Sequence, residues 1–257
     1  MNRVLNEMPI IGFFAGTLFL ALVSLEAGYR WAKRRQANRE LEKEAPVGAM
    51  VGATLGLLAF VLAFTFGIAA DAFHARKVAL VEEANAIRMT YLLSNVIPAA
   101  HREEIRIVLR QYVDERLRWA SGETDEPAAS AEELLNRLWK SAAVVGEQNP
   151  GGVDVFLTYV GKVIEIQQER VMVRERSRIP GFYWVVLFIL VVVSLSAMGY
   201  HGGVAGTTRS PVMLAVAIAF SAVIMVIADL DRPGQGFINV NQQPMIDLRV
   251  LLAESKH

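Results

Sequence analysis

The sequence predicts an all-α membrane protein with four transmembrane helices per subunit and a helical lobe inserted between spans two and three. Three observations predict this class. Apolar stretches occupy residues 9–25, 47–70, 181–200 and 211–228, each sufficient to cross about 30 Å of hydrocarbon as a helix of roughly 17 to 25 residues. The segment 71–178 is polar, and its apolar residues recur at helical rather than strand spacing. Turn signals inside it, Ser121-Gly122, Pro127 and Asn149-Pro150-Gly151-Gly152, separate helix-length pieces. The expected division is therefore residues 1–70 for spans one and two with a basic connector, 71–178 for the lobe, 179–230 for spans three and four, and 231–257 for a short C-terminal tail.

The first span is expected to stay attached rather than to be cleaved as a signal peptide. Only Arg3 is basic ahead of it, and its apolar run exceeds the core of a secretory signal. Tyr29, Arg30, Trp31, Lys33, Arg34, Arg35, Arg39 and Lys43, mixed with Glu40, Glu42 and Glu44, predict a short helical connector, and Pro46 opens span two. Span two continues into a polar helix on which Phe73, Leu80, Ala84, Ile87 and Tyr91 form one apolar stripe, ended by Pro98. The next helix sets Ile105, Leu109, Tyr112 and Trp119 on one side and Arg102, Glu103, Arg106 and Arg110 elsewhere. Ser130, three residues before Glu133, has capping-box spacing and is expected to start a helix bearing Leu134, Leu138 and Val145 that stops near Gly146. A long helix from about Asp154 carries Leu157, Val160, Ile164, Gln168 and Val171 as its apolar row, with Gln167 and Gln168 interrupting it as a register-setting polar contact or as a surface touched by ions. The link 201–210 predicts that spans three and four pack together as a hairpin, and a short helix is expected from Pro244.

Composition removes several functions. Formal charge is balanced, and segment 71–178 holds 15 Lys/Arg against 17 Asp/Glu, so no basic field exists to collect nucleic acid. The absence of cysteine excludes disulfides, thiolate catalysis and Cys-ligated zinc. His74, His101, His201 and His257 show no metal-ligand spacing, and no phosphate loop, nucleophile elbow or dinucleotide fingerprint occurs. No cofactor, metal or enzyme site is expected.

Three constellations remain. Gly48, Gly52 and Gly56 recur every four residues on span two, spacing that lets helices approach closely, either within one subunit or around an oligomer axis. Farther along that helix stand Phe60, Phe64 and Ile68, which in a symmetric oligomer would form an apolar constriction gating by dewetting. A helix drifts about 40° over each four-residue step, so only a neighbouring subset of these six can face one axis. Asp71, Arg76, Glu82 and Glu83, with His74, Asn85 and Arg88, crowd the helix leaving span two, as an ion-pair network or as charges shaping a pore mouth. Asp229, Asp231, Arg232 and Pro233 form a C-terminal membrane-exit motif in which Arg232 can neutralise one carboxylate, with too few oxygen ligands for a divalent cation.

The set Asp71-Ala-Phe-His-Ala-Arg76, Glu82-Glu83-Ala84-Asn85-Ala86-Ile87, Tyr112, Arg116 and Asp229-Leu-Asp-Arg-Pro233 with Gly236 resembles the bestrophin-like family of bacterial and plant membrane proteins, distantly related to bestrophins, over nearly the whole chain. The resemblance implies a bestrophin-like fold. It also implies a homo-oligomer, a pentamer in bestrophins, in the bacterial inner membrane with the lobe in the cytoplasm. Charge counts pull both ways on that side: six basic residues join spans one and two, whereas Arg76, Lys77, Arg170, Arg174, Arg176 and Arg178 flank the membrane ends of the lobe. Bestrophins are anion channels, but the carboxylates near span two and the short tail depart from them, so anion selectivity is not carried over. The expected function is an oligomeric ion channel with span two lining the path and inorganic ions passing. The rival is a non-conducting membrane scaffold or sensor whose lobe binds a protein partner.

Overall fold

The computed structural model describes residues 9–37, 44–121, 127–148, 153–176, 178–206, 211–232 and 236–254. Among these residues the chain forms eight α-helices and one 3-10 turn: α1 (Ile10–Ala37), α2 (Glu44–Leu93), the turn Ser94–Val96, α3 (Ala99–Ala120), α4 (Pro127–Gln148), α5 (Asp154–Arg176), α6 (Gly181–Val204), α7 (Pro211–Asp231) and α8 (Gln243–Glu254). Four of them, α1, α2, α6 and α7, are long and apolar enough to cross a membrane. The protein is an integral membrane protein with a helical insertion between its second and third spans. The chain divides into two units, residues 1–73 with 178–239 and residues 74–177 with 240–257.

In the first unit α1 is the shared partner of α6 and α7, while α6 and α7 barely touch. This corrects the expectation that spans three and four pack as a pair. The cause is side-chain size. A Cβ on Gly28 would overlap the backbone of Ser196, one on Gly199 the backbone of Leu25, and one on Gly203 the methyl of Ala32. Backbone-to-backbone approach of this kind maximises dispersion contact where lipid supplies no hydrophobic drive between helices. At the end of this seam the Gln36 amide donates to the carbonyls of Gly203 (3.0 Å) and Val204 (3.1 Å) in the last turn of α6, and the Gly203 carbonyl also accepts from the Gly206 N–H (3.3 Å). Phe13 meets the edge of Trp184 at 5.8 Å, and Leu58, Leu62, Leu187, Val191, Leu195, Ile224 and Ile227 fill the core.

In the second unit the core is built from Leu80, Ala84, Ile87 and Tyr91 of α2 with Ile105, Leu109 and Tyr112 of α3, Leu138, Ala142 and Val145 of α4, Phe156, Val160 and Val163 of α5, and Met245 and Leu248 of α8. Pro98 stands as the cap of α3, and three arginines of that helix secure the reversal before it. Arg102 donates to the carbonyls of Ser94 (3.1 Å), Asn95 (3.0 Å) and Ile97 (3.1 Å), Arg106 donates to the Ser94 hydroxyl (3.0 Å), and both Arg106 and Arg110 lie over the Tyr91 ring. Two sequence expectations change here. Helix α4 begins at Pro127, whose fixed φ and missing N–H suit a first helical position, so Ser130 lies inside the helix and donates instead to Glu115 at 2.9 Å. On α5 the buried residues are Phe156, Val160, Val163, Ile166 and Gln167; Val160 is shared with the predicted row, while Phe156, Val163 and Gln167 stand one residue before the predicted Leu157, Ile164 and Gln168, and Gln168 is exposed. Phe156 is fully buried, while Leu157 and Ile164 are partly buried and pack against the same core.

Candidate pore helix and its charged flanks

Helix α2 is the span least satisfied by its own chain. Only 17% of its most apolar window is buried, against 28% to 33% for the other three. One continuous side is bare. Phe60 is 59% exposed, Phe64 63% and Ile68 42%, and the two phenyl rings rest on each other with centroids 4.8 Å apart. The opposite side holds Leu58, Leu62, Thr65 and Ala69 in the core, and Thr54 accepts a hydrogen bond from Ser194 at 3.1 Å. Gly48 faces His201, whereas a Cβ on Gly52 or Gly56 would meet only open space. Among the described residues, then, nothing packs on Gly52 or Gly56.

The charged residues that follow sort onto different sides. Asp71, His74 and Glu82 are exposed and make no hydrogen bond or ion pair with any described residue. Arg76 is partly buried and has a partner. Glu83 points the other way, into the second unit, where it is fully buried. There Oε1 accepts from the Tyr112 hydroxyl at 2.5 Å and lies 3.2 Å from Arg116 Nε, while Oε2 pairs with Arg170. The Gln167 side chain sits 3.1 Å from the same hydroxyl. Asp71 and Glu82 are both exposed, whereas Glu83 belongs to a buried cluster of the second unit.

The energetics of that cluster follow from its depth. Burial pushes the Tyr112 hydroxyl up to about 12, partly offset by the positive charge of Arg116. Burial lowers the Arg116 guanidinium, which Tyr112 counteracts, and lowers that of Arg170 to about 10. Glu83 is thus a buried carboxylate set beside two guanidiniums and held by α3 and α5 at once. Sequence reading named Tyr112 and Arg116 but had no signal for Arg170 as the partner, because only the rotation of α5 brings it round.

The C-terminal motif is structural in its contacts. Asp229 is buried and accepts from the backbone N–H groups of Phe237 (2.9 Å) and Ile238 (2.8 Å), one on each oxygen. Gly236 stands so close that a Cβ would overlap the carboxylate. Asp231 accepts from the Ile179 N–H at 2.8 Å, and Arg232 stands over the Phe13 ring at 5.3 Å. Pro233 lies outside the described residues. Both carboxylates thus serve as fixed acceptors for chain segments that no helix satisfies.

Comparison with known proteins bears on this arrangement. The family model described as Bestrophin-like domain matches residues 15–245. The chain belongs to the bestrophin-like family. The match spans both Asp71 and Asp229, and with them every residue of the α2 face and of the Glu83 cluster. A bacterial bestrophin homologue from Klebsiella pneumoniae has a similar structure, with a TM-score of 0.59 at 13% identity, covering 95% of this chain and 97% of that one. A variant of the homologue gives 0.58 at 14% identity over 95% and 98%. Another solved structure, described as that of a membrane protein, gives 0.60 at 12% over 95% and 97%. No curated protein matches the chain. At such identities the likeness is one of fold: this chain has the all-helical, four-span bestrophin architecture.

Proposed function

We propose that the protein is an ion channel assembled from several copies of the chain, five by its likeness to bestrophins, in the bacterial inner membrane with the lobe in the cytoplasm. Segments 1–70 and 179–230 act as the membrane part, 71–178 as the lobe and 231–257 as a tail that anchors the end of α7. Helix α2 lines the path, Phe60, Phe64 and Ile68 form the constriction, and Asp71 and Glu82 stand along the mouth. The observation that carries this reading is the bare side of α2. Two exposed phenylalanines whose tilted rings touch follow two glycines that meet no described residue of their own subunit. Symmetry would close such a side into apolar rings, which admit ions only when wetted, and would bring small residues to an inter-subunit seam.

Flux across liposomes containing the purified protein tests the reading. Phe64→Ala removes most of one ring and is expected to raise ion flux several-fold with the oligomer intact by native mass. If wild type and Phe64→Ala are both silent across lipids and pH values, the channel reading fails and the scaffold or sensor takes its place.

A further inference from the structure

We propose that the C-terminal end of α1 binds an anionic phospholipid, with the phosphate on the guanidinium of Arg34 and an acyl chain along Ala27, Val23 and Phe19. Register, depth and charge converge on this assignment. Phe19 is 70% exposed and Val23 47%, and Ala27, Arg30 and Arg34 are exposed with them. Around the helix axis Val23 and Ala27 lie within about 20° of Arg34, Arg30 within about 40° and Phe19 within about 60°. An apolar strip that no described helix of the chain covers therefore runs straight into two arginines. Val23 precedes Arg34 by about 16 Å at 1.5 Å per residue, close to one leaflet's share of about 30 Å of hydrocarbon.

Aromatic rings fix the depth. Trp31 is 61% exposed, and its ring tilts against that of Tyr200 on α6 with centroids 5.3 Å apart. Exposed indole and phenol groups at the end of a membrane helix settle where hydrocarbon gives way to headgroups. Arg34 stands about 4.5 Å farther along the axis, on the row beside Trp31. Charge then identifies what it meets there. Arg30 is committed to Glu26 at 2.7 Å, and Arg35 is partly buried and has a partner. Lys33 donates to the Gln36 amide oxygen at 3.3 Å and lies 5.7 Å from the centre of the Tyr29 ring, contacts that bring no negative charge. Arg34 is exposed and makes no hydrogen bond or ion pair with a described residue. Residues 26–37 thus carry Arg30, Lys33, Arg34 and Arg35 against Glu26 alone. Glu44, which opens α2, is exposed and makes no ion pair with a described residue. A guanidinium offers paired donors that match the oxygens of a phosphodiester, and basic residues beside a bilayer attract anionic lipid. A second copy of the chain suits the strip less well, because it would bring the same excess of positive charge to the contact. The site does not depend on whether α2 lines a path for ions.

The test is native mass spectrometry of the purified full chain in detergent, titrated with phosphatidylglycerol or with phosphatidylethanolamine of the same acyl chains. Wild type is expected to hold phosphatidylglycerol several-fold more tightly, and its thermal unfolding should move upward more with that lipid than with the zwitterionic one. Arg34→Gln combined with Lys33→Gln should abolish most of the preference, Arg34→Lys should keep part of it, and Val23→Asn should weaken both lipids alike. Arg137→Gln, which removes an exposed charge from the lobe, should leave it unchanged. Equal affinity of the wild type for both lipids, a preference untouched in the double variant, or the same loss from Arg137→Gln overturns the proposal. Displacement of the lipid by millimolar inorganic phosphate would assign a free anion to Arg34, and a double variant that loses its oligomer while keeping the lipid would assign the face to a second copy; either also overturns it. Should the double variant fail to fold, Arg34→Gln alone decides, an unchanged preference counting against the site.

Discussion

The membrane unit and the lobe solve the same packing problem with opposite materials. Between α1 and α6 the contact is made by what is missing: Gly28, Gly199 and Gly203 let two backbones meet where any side chain would intrude. In the lobe the contact is made by large buried residues, Tyr91, Tyr112 and Phe156 among them, and Tyr112 also donates to a buried carboxylate flanked by two arginines. The difference follows from the solvent. Lipid tails are as apolar as leucine, so helices gain little by hiding large side chains from them and gain by close approach. Water rewards burial of large apolar groups at about 25 cal/mol per Å², which can offset the cost of enclosing a compensated ion pair.

The largest effect is expected where the seam is tightest. Gly199→Leu would drive a branched side chain into the backbone at Leu25, which neither helix can accommodate without separating. A loss above about 4 kcal/mol is expected, a size reserved for overpacking and similar failures. The purified variant should lose monodispersity in detergent, and hydrogen exchange in α1 and α6 should rise before that in α4. A well-behaved Gly199→Leu protein would show that the seam is looser than its geometry.

In the lobe the matching test removes charge rather than adding volume. Glu83→Gln leaves Arg116 and Arg170 buried beside a neutral amide, and stripping one partner from a buried pair costs about 3–5 kcal/mol. Thermal unfolding followed by hydrogen exchange in α3 and α5 should register that cost, and Arg170→Met added to Glu83→Gln should restore part of it. Tyr112 supplies a pH signature. Its folded-state pKa is raised to about 12 from an ordinary 10.0, so its stabilising contribution is complete below pH 10 and is lost as pH rises through 12. Tyr112→Phe should flatten that alkaline arm relative to wild type.

This contrast also explains which features were legible in the sequence. Span number, lobe placement and the stripe Leu80, Ala84, Ile87 and Tyr91 follow from hydropathy and helical period, which are local properties of the chain. The one-residue rotation of α5 is not local: it is set by the fit of Phe156 and by Gln167 beside Tyr112, a contact made across 55 positions. The reach of Arg170 to Glu83 across 87 positions has the same character. Among glycines the spacing rule was informative but not discriminating. Gly199 and Gly203 are four apart, as are Gly48, Gly52 and Gly56, and spacing alone does not say which row meets a helix of its own subunit.

That last ambiguity sets the smallest effect expected in an isolated subunit. Gly56→Ala adds a methyl that meets nothing within the chain. On an exposed helix the exchange is favourable by up to about 1 kcal/mol, because alanine loses less backbone entropy than glycine. The subunit should therefore be unchanged or slightly firmer, whereas an assembly whose neighbouring helices close on this row should weaken. Measuring both in one experiment, unfolding of detergent-separated subunits and oligomer fraction by native mass, distinguishes the two roles of glycine. If Gly56→Ala leaves the oligomer as populated as wild type, the row does not form the seam between copies, and the phenylalanines beyond it lose that support for facing a common axis.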